Sequence, residues 1–419
     1  MLGVGQITIY GLCSLLATVI LILLIKRPAE LIGLVDRPGG RKDHEDAVPL
    51  CGGPAMMVAF CSLVLAFGLA PSTDYYCLIV GVLLLAIVGG WDDLWGLSVH
   101  LRFFVQASVV LFCMGLWGNT DLVTVGDLLG LGDVHLGNFA IPVTLFCVVG
   151  VINAFNLSDG IDGLAGGLAV IALGSFALAA LAAGEVRITA VAVVLIGVSL
   201  GFLLFNLRTF WRAKASVFMG DSGSLFLGFA LCWFAIKLSQ GDGRAISPVT
   251  AGWILGLPIM DTVNVMLRRM LRGEGPFTAG RDHLHHALLQ GGLSPRQTVG
   301  VLLTVGVAMN IIGLTSYWYG IPDDVMFFTF VGLSAVTLFV LHFFWRLPEL
   351  ALTPDLEAAA TLEAYEEIPD LDTSVLAPPP PIPPGSDLQV SGSVNASSAV
   401  EEPELERLQQ RSNSIRKNH

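Results

Sequence analysis

Charge is scarce in this chain. Asp, Glu, Lys and Arg make up 13% of 419 residues against 54% hydrophobic types, and the mean hydropathy is +0.73. A soluble fold of this length has too much surface to be built from so little charge. Basic residues are the scarcer sign, 22 Lys and Arg against 34 Asp and Glu, so the basic footprint of a nucleic-acid binder is missing. The seven cysteines, Cys13, Cys51, Cys61, Cys77, Cys113, Cys147 and Cys232, include no pair with metal-ligand or redox spacing. They read as small apolar packing residues. No basic segment precedes the first apolar run and positive charge follows it, so that run is expected to be a retained helix rather than a cleaved signal. No long-period repeat is visible.

What the chain has in abundance is apolar windows long enough to span a bilayer. They fall near residues 4–25, 51–70, 75–91, 101–118, 139–155, 164–183, 187–206, 218–238, 247–267, 297–319 and 325–345. The expected fold is therefore an all-α polytopic integral membrane protein with about 11 transmembrane helices. Lys and Arg set its orientation. Lys26, Arg27, Arg37, Arg41 and Lys42 follow the first span, Arg208, Arg212 and Lys214 the seventh, and Arg268, Arg269, Arg272, Arg281 and Arg296 the ninth. The opposite connections hold little more than Arg187 and Arg244. By the positive-inside rule the amino terminus lies outside and the carboxyl terminus in the cytoplasm.

Two domains are expected, a membrane-embedded one over 1–348 and a tail over 349–419. The tail carries 13 Asp and Glu against 4 Lys and Arg, which is −9 of the total −12. With its Pro378-Pro-Pro-Pro-Ile-Pro-Pro384 run it cannot bury a core and reads as a disordered cytoplasmic appendage. The polyproline run could dock a partner.

On the expected topology every unusual polar cluster falls on the cytoplasmic side. Gly90-Trp-Asp92-Asp93 ends the third span, and Asn153-Ala-Phe-Asn156-Leu-Ser-Asp159-Gly-Ile-Asp162-Gly links the fifth to the sixth. Phe218-Met-Gly-Asp221-Ser-Gly-Ser224 opens the eighth, and Arg281-Asp-His283-Leu-His285-His286 follows the ninth. A single Asp ahead of a helix is commonly an N-cap. Five of them on one face of a membrane instead make a site for a hard cation and the phosphates it carries. The histidine run is open to three readings, a phosphate contact, a solvated loop or zinc, and with no Cys and no spaced partner His phosphate is preferred. In the first cytoplasmic loop, Lys42 and His44 either obey the topology rule or meet an anionic headgroup. Pro49, Gly52 and Gly53 mark a fixed turn or broken helix entry. Asp261, inside the ninth span and two turns from Arg268, reads equally as half of a structural Asp–Arg relationship or as a catalytic group, and is kept out of the main site.

These motifs, in this order, resemble the polyprenyl-phosphate N-acetylhexosamine-1-phosphate transferase family (glycosyltransferase family 4), over about residues 1–345. Leu94-Trp95-Gly96 after the Asp pair, where the peptidoglycan MraY branch usually has a Lys, and the Leu284 that interrupts the histidines favour the WecA branch. The resemblance implies an enzyme of the bacterial inner (cytoplasmic) membrane that transfers GlcNAc 1-phosphate from UDP-GlcNAc to undecaprenyl phosphate, releasing UMP. It implies Mg²⁺, with Mn²⁺ as a substitute, on Asp221, Asn156 and Asp92. Asp92, Asp93 and Asp159 become the catalytic carboxylates, and Asp162 and Phe218 the uracil contacts. Arg281, His283, His285 and His286 grip the diphosphate and sugar, and Lys42 and His44 the lipid phosphate. A homodimer, and polysaccharide-synthesis proteins docked on the tail, complete the partners. The same reaction with another UDP-N-acetylhexosamine or with UDP-MurNAc-pentapeptide is the nearest alternative, and a secondary transporter the rival of a different class.

Overall fold

The computed structural model describes residues 3–36, 47–209, 211–278, 280 and 282–351. Helices dominate. They are α1 (Val4–Ile32), α2 (Gly52–Ala66), α3 (Thr73–Trp95), α4 (Val99–Val110, prolonged by a π-helical turn Leu111–Leu116), α5 (Ala140–Ser158), α6 (Leu164–Ala182) and α7 (Val186–Asn206). After these come α8 (Gly220–Ser239), α9 (Pro248–Ile254), α10 (Gly256–Leu271), α11 (Leu284–Gln290), α12 (Pro295–Trp318) and α13 (Asp323–Ala351). Two short antiparallel strands, β1 (Val35–Asp36) and β2 (Val48–Pro49), pair Val35 with Pro49 and Asp36 with Val48.

Among the described residues nine helices are long and apolar enough to cross a membrane, or ten if α9 and α10 are one broken span. Each of the eleven expected segments holds a helix, but two differ in kind. The second, α2, has 15 residues, about 22 Å at the α-helical rise, against a hydrocarbon core of about 30 Å. Its entry, Gly52-Gly53-Pro54, is spent on backbone pairing: the Gly52 and Gly53 N–H groups donate to the Phe218 and Met219 carbonyls, each at 3.0 Å. The ninth is bent by 80° between α9 and α10. Pro258 has no N–H for the carbonyl four residues back, that of Ile254. The buried Asn310 of α12 repairs the loss by donating its Nδ2 to that carbonyl at 3.0 Å.

The helices differ sharply in how much of them meets other protein. In α8, 94% of the apolar window is buried, whereas in α13 the figure is 11%. α8 is therefore the axis of the bundle, with α3, α5 and α2 packed around it. Small residues allow the contact, as helix packing in lipid favours. A Cβ on Gly89 of α3 would lie 2.4 Å from the Ser222 nitrogen, so only glycine admits the α8 backbone there. This close approach brings the last turn of α3 to the first turn of α8.

Candidate active site

The turn between α3 and α4 positions the first group of side chains. Gly96 ends α3 at φ +72° and donates its N–H to the Asp92 carbonyl at 2.9 Å, a backbone conformation costly for any residue with a Cβ. Ser98 then caps α4, its Oγ accepting the Leu101 N–H at 3.3 Å. With so short a connection, Asp92 in the last turn of α3 and Arg102 in the first turns of α4 face each other. Arg102 Nη2 is 2.5 Å from Asp92 Oδ2, and the other Asp92 oxygen accepts the Leu97 N–H at 2.6 Å.

Asp93 serves another helix. The Asp221 and Ser222 N–H groups donate to its two oxygens at 2.9 and 3.2 Å. The first amides of a helix lack intrahelical acceptors, and the N-cap residue Met219 supplies none from its side chain. A carboxylate from α3 does so instead, the more readily because it meets the positive end of the α8 dipole. Gly220, at φ +70°, turns the chain into that position.

Asp221 is thereby aimed at two neighbours. Its Oδ1 accepts from Asn156 Nδ2 at 2.6 Å, and Asn156 also donates to Ser224 Oγ at 2.9 Å. Its Oδ2 lies 3.3 Å from Arg102 Nη1. The consecutive α3 and α4 and the distant α5 and α8 thus converge on one cluster of Asp92, Asp93, Arg102, Asn156 and Asp221.

The loop from α5 to α6 lies against this cluster. Burial raises the Asp159 carboxyl well above the usual carboxylate range, and the charges of Asp221, Asp93 and Asp162 raise it further. Asp162 Oδ2 accepts from Arg208 Nε at 2.7 Å and from the Ala215 N–H at 3.2 Å. The buried Asn206 at the end of α7 locks the same loop, its Oδ1 accepting the Gly163 N–H at 2.7 Å and its Nδ2 donating to the Val217 carbonyl at 3.0 Å. Phe218 is half-buried beside them, its N–H donating to the Pro49 carbonyl at 2.9 Å.

The histidines are held by α10. Asp261 binds His283 Nδ1 at 2.9 Å through Oδ2 and accepts the Leu284 N–H at 2.8 Å through Oδ1. It therefore orients His283 and caps α11, and Arg268, its expected partner, feels its charge and also donates to the Asp282 carbonyl. Arg269 and Arg272 also reach Asp282, at 3.1 and 3.9 Å. The His285 ring is parallel to that of His283 with centroids 5.8 Å apart, and 4.2 Å from that of His286. Burial, with help from His286, pushes its pKa down to about 3, so it is neutral at physiological pH. A Cβ on Gly160 would lie 2.8 Å from His285 Nε2, which puts this ring against the loop that carries Asp159. That nitrogen is buried without a hydrogen-bond partner among the described residues.

Arg281, Lys42 and His44 lie outside the described residues, as does the tail from residue 352. Arg102 and Asn206 escaped the sequence reading, Arg208 entered it only as a topology signal, and the contact of Asp261 with His283 was not foreseen. Arg102 had one visible signal, a lone base at the start of an apolar run ten residues beyond Asp92.

Among the described residues no three His, Cys, Asp or Glu side chains form a ready metal cage. The donor chemistry nevertheless fits Mg²⁺, which commonly takes one or two carboxylates and completes its shell with substrate phosphates and water. Asp92 and Asp221 present such oxygens, both turned toward one guanidinium. The buried Nε of that arginine has no hydrogen-bond partner among the described residues.

A family model described as glycosyl transferase family 4 matches residues 75–239, a stretch that contains Asp92, Asn156 and Asp221 and ends before the histidines. The undecaprenyl-phosphate alpha-N-acetylglucosaminyl 1-phosphate transferase of Escherichia coli (strain K12) is 35% identical over 335 residues, 78% of this chain and 87% of the relative. The enzyme of the same description from Yersinia pestis is 37% identical over 285 residues, 68% of this chain and 77% of the relative. A probable undecaprenyl-phosphate N-acetylglucosaminyl 1-phosphate transferase of Bacillus subtilis (strain 168) is 35% identical over 306 residues, 73% of this chain and 84% of the relative. These findings agree with the resemblance read from the motifs, and none of these relatives bears a transporter's name.

Proposed function

This chain belongs to glycosyl transferase family 4, and on that premise we propose that it transfers GlcNAc 1-phosphate from UDP-GlcNAc to undecaprenyl phosphate. A carrier phosphate oxygen attacks the β-phosphorus of the nucleotide sugar, a new P–O bond forms, the bond to the α-phosphate oxygen breaks, and UMP leaves. Undecaprenyl-diphospho-GlcNAc remains in the membrane as the primer of an O-antigen or common-antigen type of polysaccharide. In this reading the chain spans the bacterial inner membrane eleven times, counting α2 and the α9–α10 pair, with the amino terminus outside, the carboxyl terminus inside and the site open to the cytoplasm.

Phosphoryl transfer asks the protein for position and charge rather than covalent chemistry. Mg²⁺, or Mn²⁺ in its place, would be held by Asp221 and Asp92 with Asn156 supporting them, and would offset the charge of the diphosphate. Asp93 fixes the first turn of α8 and so the place of Asp221, and with Asp92 it orients the carrier phosphate. A phosphate monoester has its second pKa near 6, so the nucleophile already exists as an anion and a strong base is not needed. Asp159 faces the diphosphate, and Asp162, braced by Arg208, faces the uracil with Phe218 stacked on it. Arg281, His283, His285 and His286 grip the diphosphate and sugar, and Lys42 and His44 meet the lipid phosphate.

Support comes above all from one observation: Asp92, Asn156 and Asp221 reach a common point from three helices that are far apart in sequence. The test is UMP release by purified protein with undecaprenyl phosphate, Mg²⁺ and a panel of UDP-sugars, with and without EDTA. Metal-dependent UMP formation that needs both the lipid and UDP-GlcNAc is expected. Release with another UDP-sugar alone would keep the reaction and change the donor, and no release with any donor would overturn the proposal.

A further inference from the structure

One cation faces the two carboxylates assigned to the metal, and the mechanism above gives it no part. Arg102 bridges α3 and α8, with Nη2 at 2.5 Å from Asp92 and Nη1 at 3.3 Å from Asp221. Its aim does not depend on those ion pairs alone. One helical turn further on, the fully buried Gln106 shares its face of α4 and accepts from Asn153 Nδ2 at 2.7 Å, which keys α4 to α5. The Arg102 side chain is 25% exposed, and its buried Nε is without a hydrogen-bond partner among the described residues. A divalent cation on the same two oxygens and this guanidinium would repel each other at such distances. Phosphate is the natural alternative partner of arginine, whose planar fork matches its oxygens.

We propose that Arg102 is the internal counter-ion of the site. It neutralises Asp92 and Asp221 while no divalent cation is bound, and it turns to the diphosphate of the nucleotide sugar when the metal takes those oxygens. Metal and nucleotide binding are then coupled, because each relieves the cost the other meets. Arg102 acts here as a positioning residue that becomes a substrate contact. The inference rests on the reading of Asp92 and Asp221 as metal-binding.

The experiment is Mn²⁺ binding followed by electron paramagnetic resonance on purified wild type, Arg102→Gln and Arg102→Lys, with and without UDP-GlcNAc. Without nucleotide, Arg102→Gln is expected to bind Mn²⁺ about tenfold more tightly than wild type, since one positive charge no longer opposes the ion. UDP-GlcNAc should tighten Mn²⁺ binding to the wild type by a clearly larger factor than to Arg102→Gln, where the diphosphate still supplies oxygens to the ion but no guanidinium turns to it. Arg102→Lys keeps the charge without the fork, so it should match wild type without nucleotide and gain less from it. Should Arg102→Gln fail to fold, the Arg102→Lys result decides by itself. The inference is overturned if Arg102→Gln binds Mn²⁺ no more tightly than wild type, or gains as much from UDP-GlcNAc. Asp221→Asn must weaken the ion in each background, and an unaffected signal would also overturn it. The metal reading itself fails separately, through wild-type UMP release that EDTA does not change.

Discussion

The two ends of the α3–α8 pair are built from the same materials and behave in opposite ways. These helices run antiparallel, and at each end an aspartate of α3 reaches α8. At one end Asp74 meets Lys237 at 2.7 Å, with Ser72 Oγ donating to the same carboxylate at 2.5 Å. The charge there is balanced one to one, and nothing further is called for. At the other end Arg102 meets Asp92 and Asp221, Asp93 lies against the same first turn of α8 and Asp159 stands within reach of their charges, so among the described residues carboxylates outnumber cations there. An excess of carboxylate held out of water is unfavourable by itself. A balanced end is a clasp, and an unbalanced one is a site that awaits positive charge.

Removing the excess should have the largest effect. Asp221→Ala is expected to reduce UMP release by about 10²–10³-fold or more, and Asp93→Ala comparably, because it leaves two first-turn amides of α8 without acceptors. Both variants should elute from detergent gel filtration as the wild type does. Near-wild-type turnover by either would erase the contrast between the ends. Next in size is Asp261→Ala, which frees His283 and uncaps α11. The loss of these hydrogen bonds, about 1–3 kcal/mol, predicts a roughly ten- to hundredfold fall in kcat, while Asp261→Asn should retain part of the activity.

Two substitutions sharpen the contrast through pH. The raised pKa of Asp159 means that its contribution to stability is present at low pH and lost as pH rises through the folded-state value. Asp159→Asn should therefore raise the Tm of substrate-free protein on the alkaline side while lowering activity. His285 has the opposite sign. Its pKa of about 3 in the fold lies below the 6.5 of an ordinary histidine, so its contribution is complete above 6.5 and is lost as pH falls toward 3. His285→Gln should flatten that acid limb of a Tm-against-pH curve. The smallest effect is expected at the balanced end. Asp74→Asn combined with Lys237→Gln removes both charges, and should leave stability within about 1 kcal/mol and UMP release within about twofold of wild type.

Much of this was legible in order along the chain. All eleven apolar windows hold helix, because hydropathy is a sum over neighbours and needs no knowledge of the fold. The short α2 and the broken α9–α10 were less legible, although Gly52-Gly53-Pro54 and Pro258 were in view. How a freed carbonyl such as that of Ile254 is satisfied depends on Asn310, 56 residues away. The same division runs through the site. Asp92, Asp93, Asn156, Asp159, Asp162 and Asp221 announced themselves as polar clusters at the ends of apolar runs. Asn206, an isolated carboxamide at a helix end, carried no signal of the two loops it ties together.

By itself, then, the sequence determined that the chain belongs in a bilayer, where its carboxylates cluster and which family it joins, since these follow from local composition and contiguous motifs. Only the tertiary structure decided which carboxylate answers to which partner. Asp93 accepts from the N–H of Asp221, 128 residues later, Asp261 holds His283, and Arg102 spans Asp92 and Asp221. Such pairings depend on which helix faces approach within hydrogen-bond distance, and glycine-lined packing around α8 sets that approach in three dimensions.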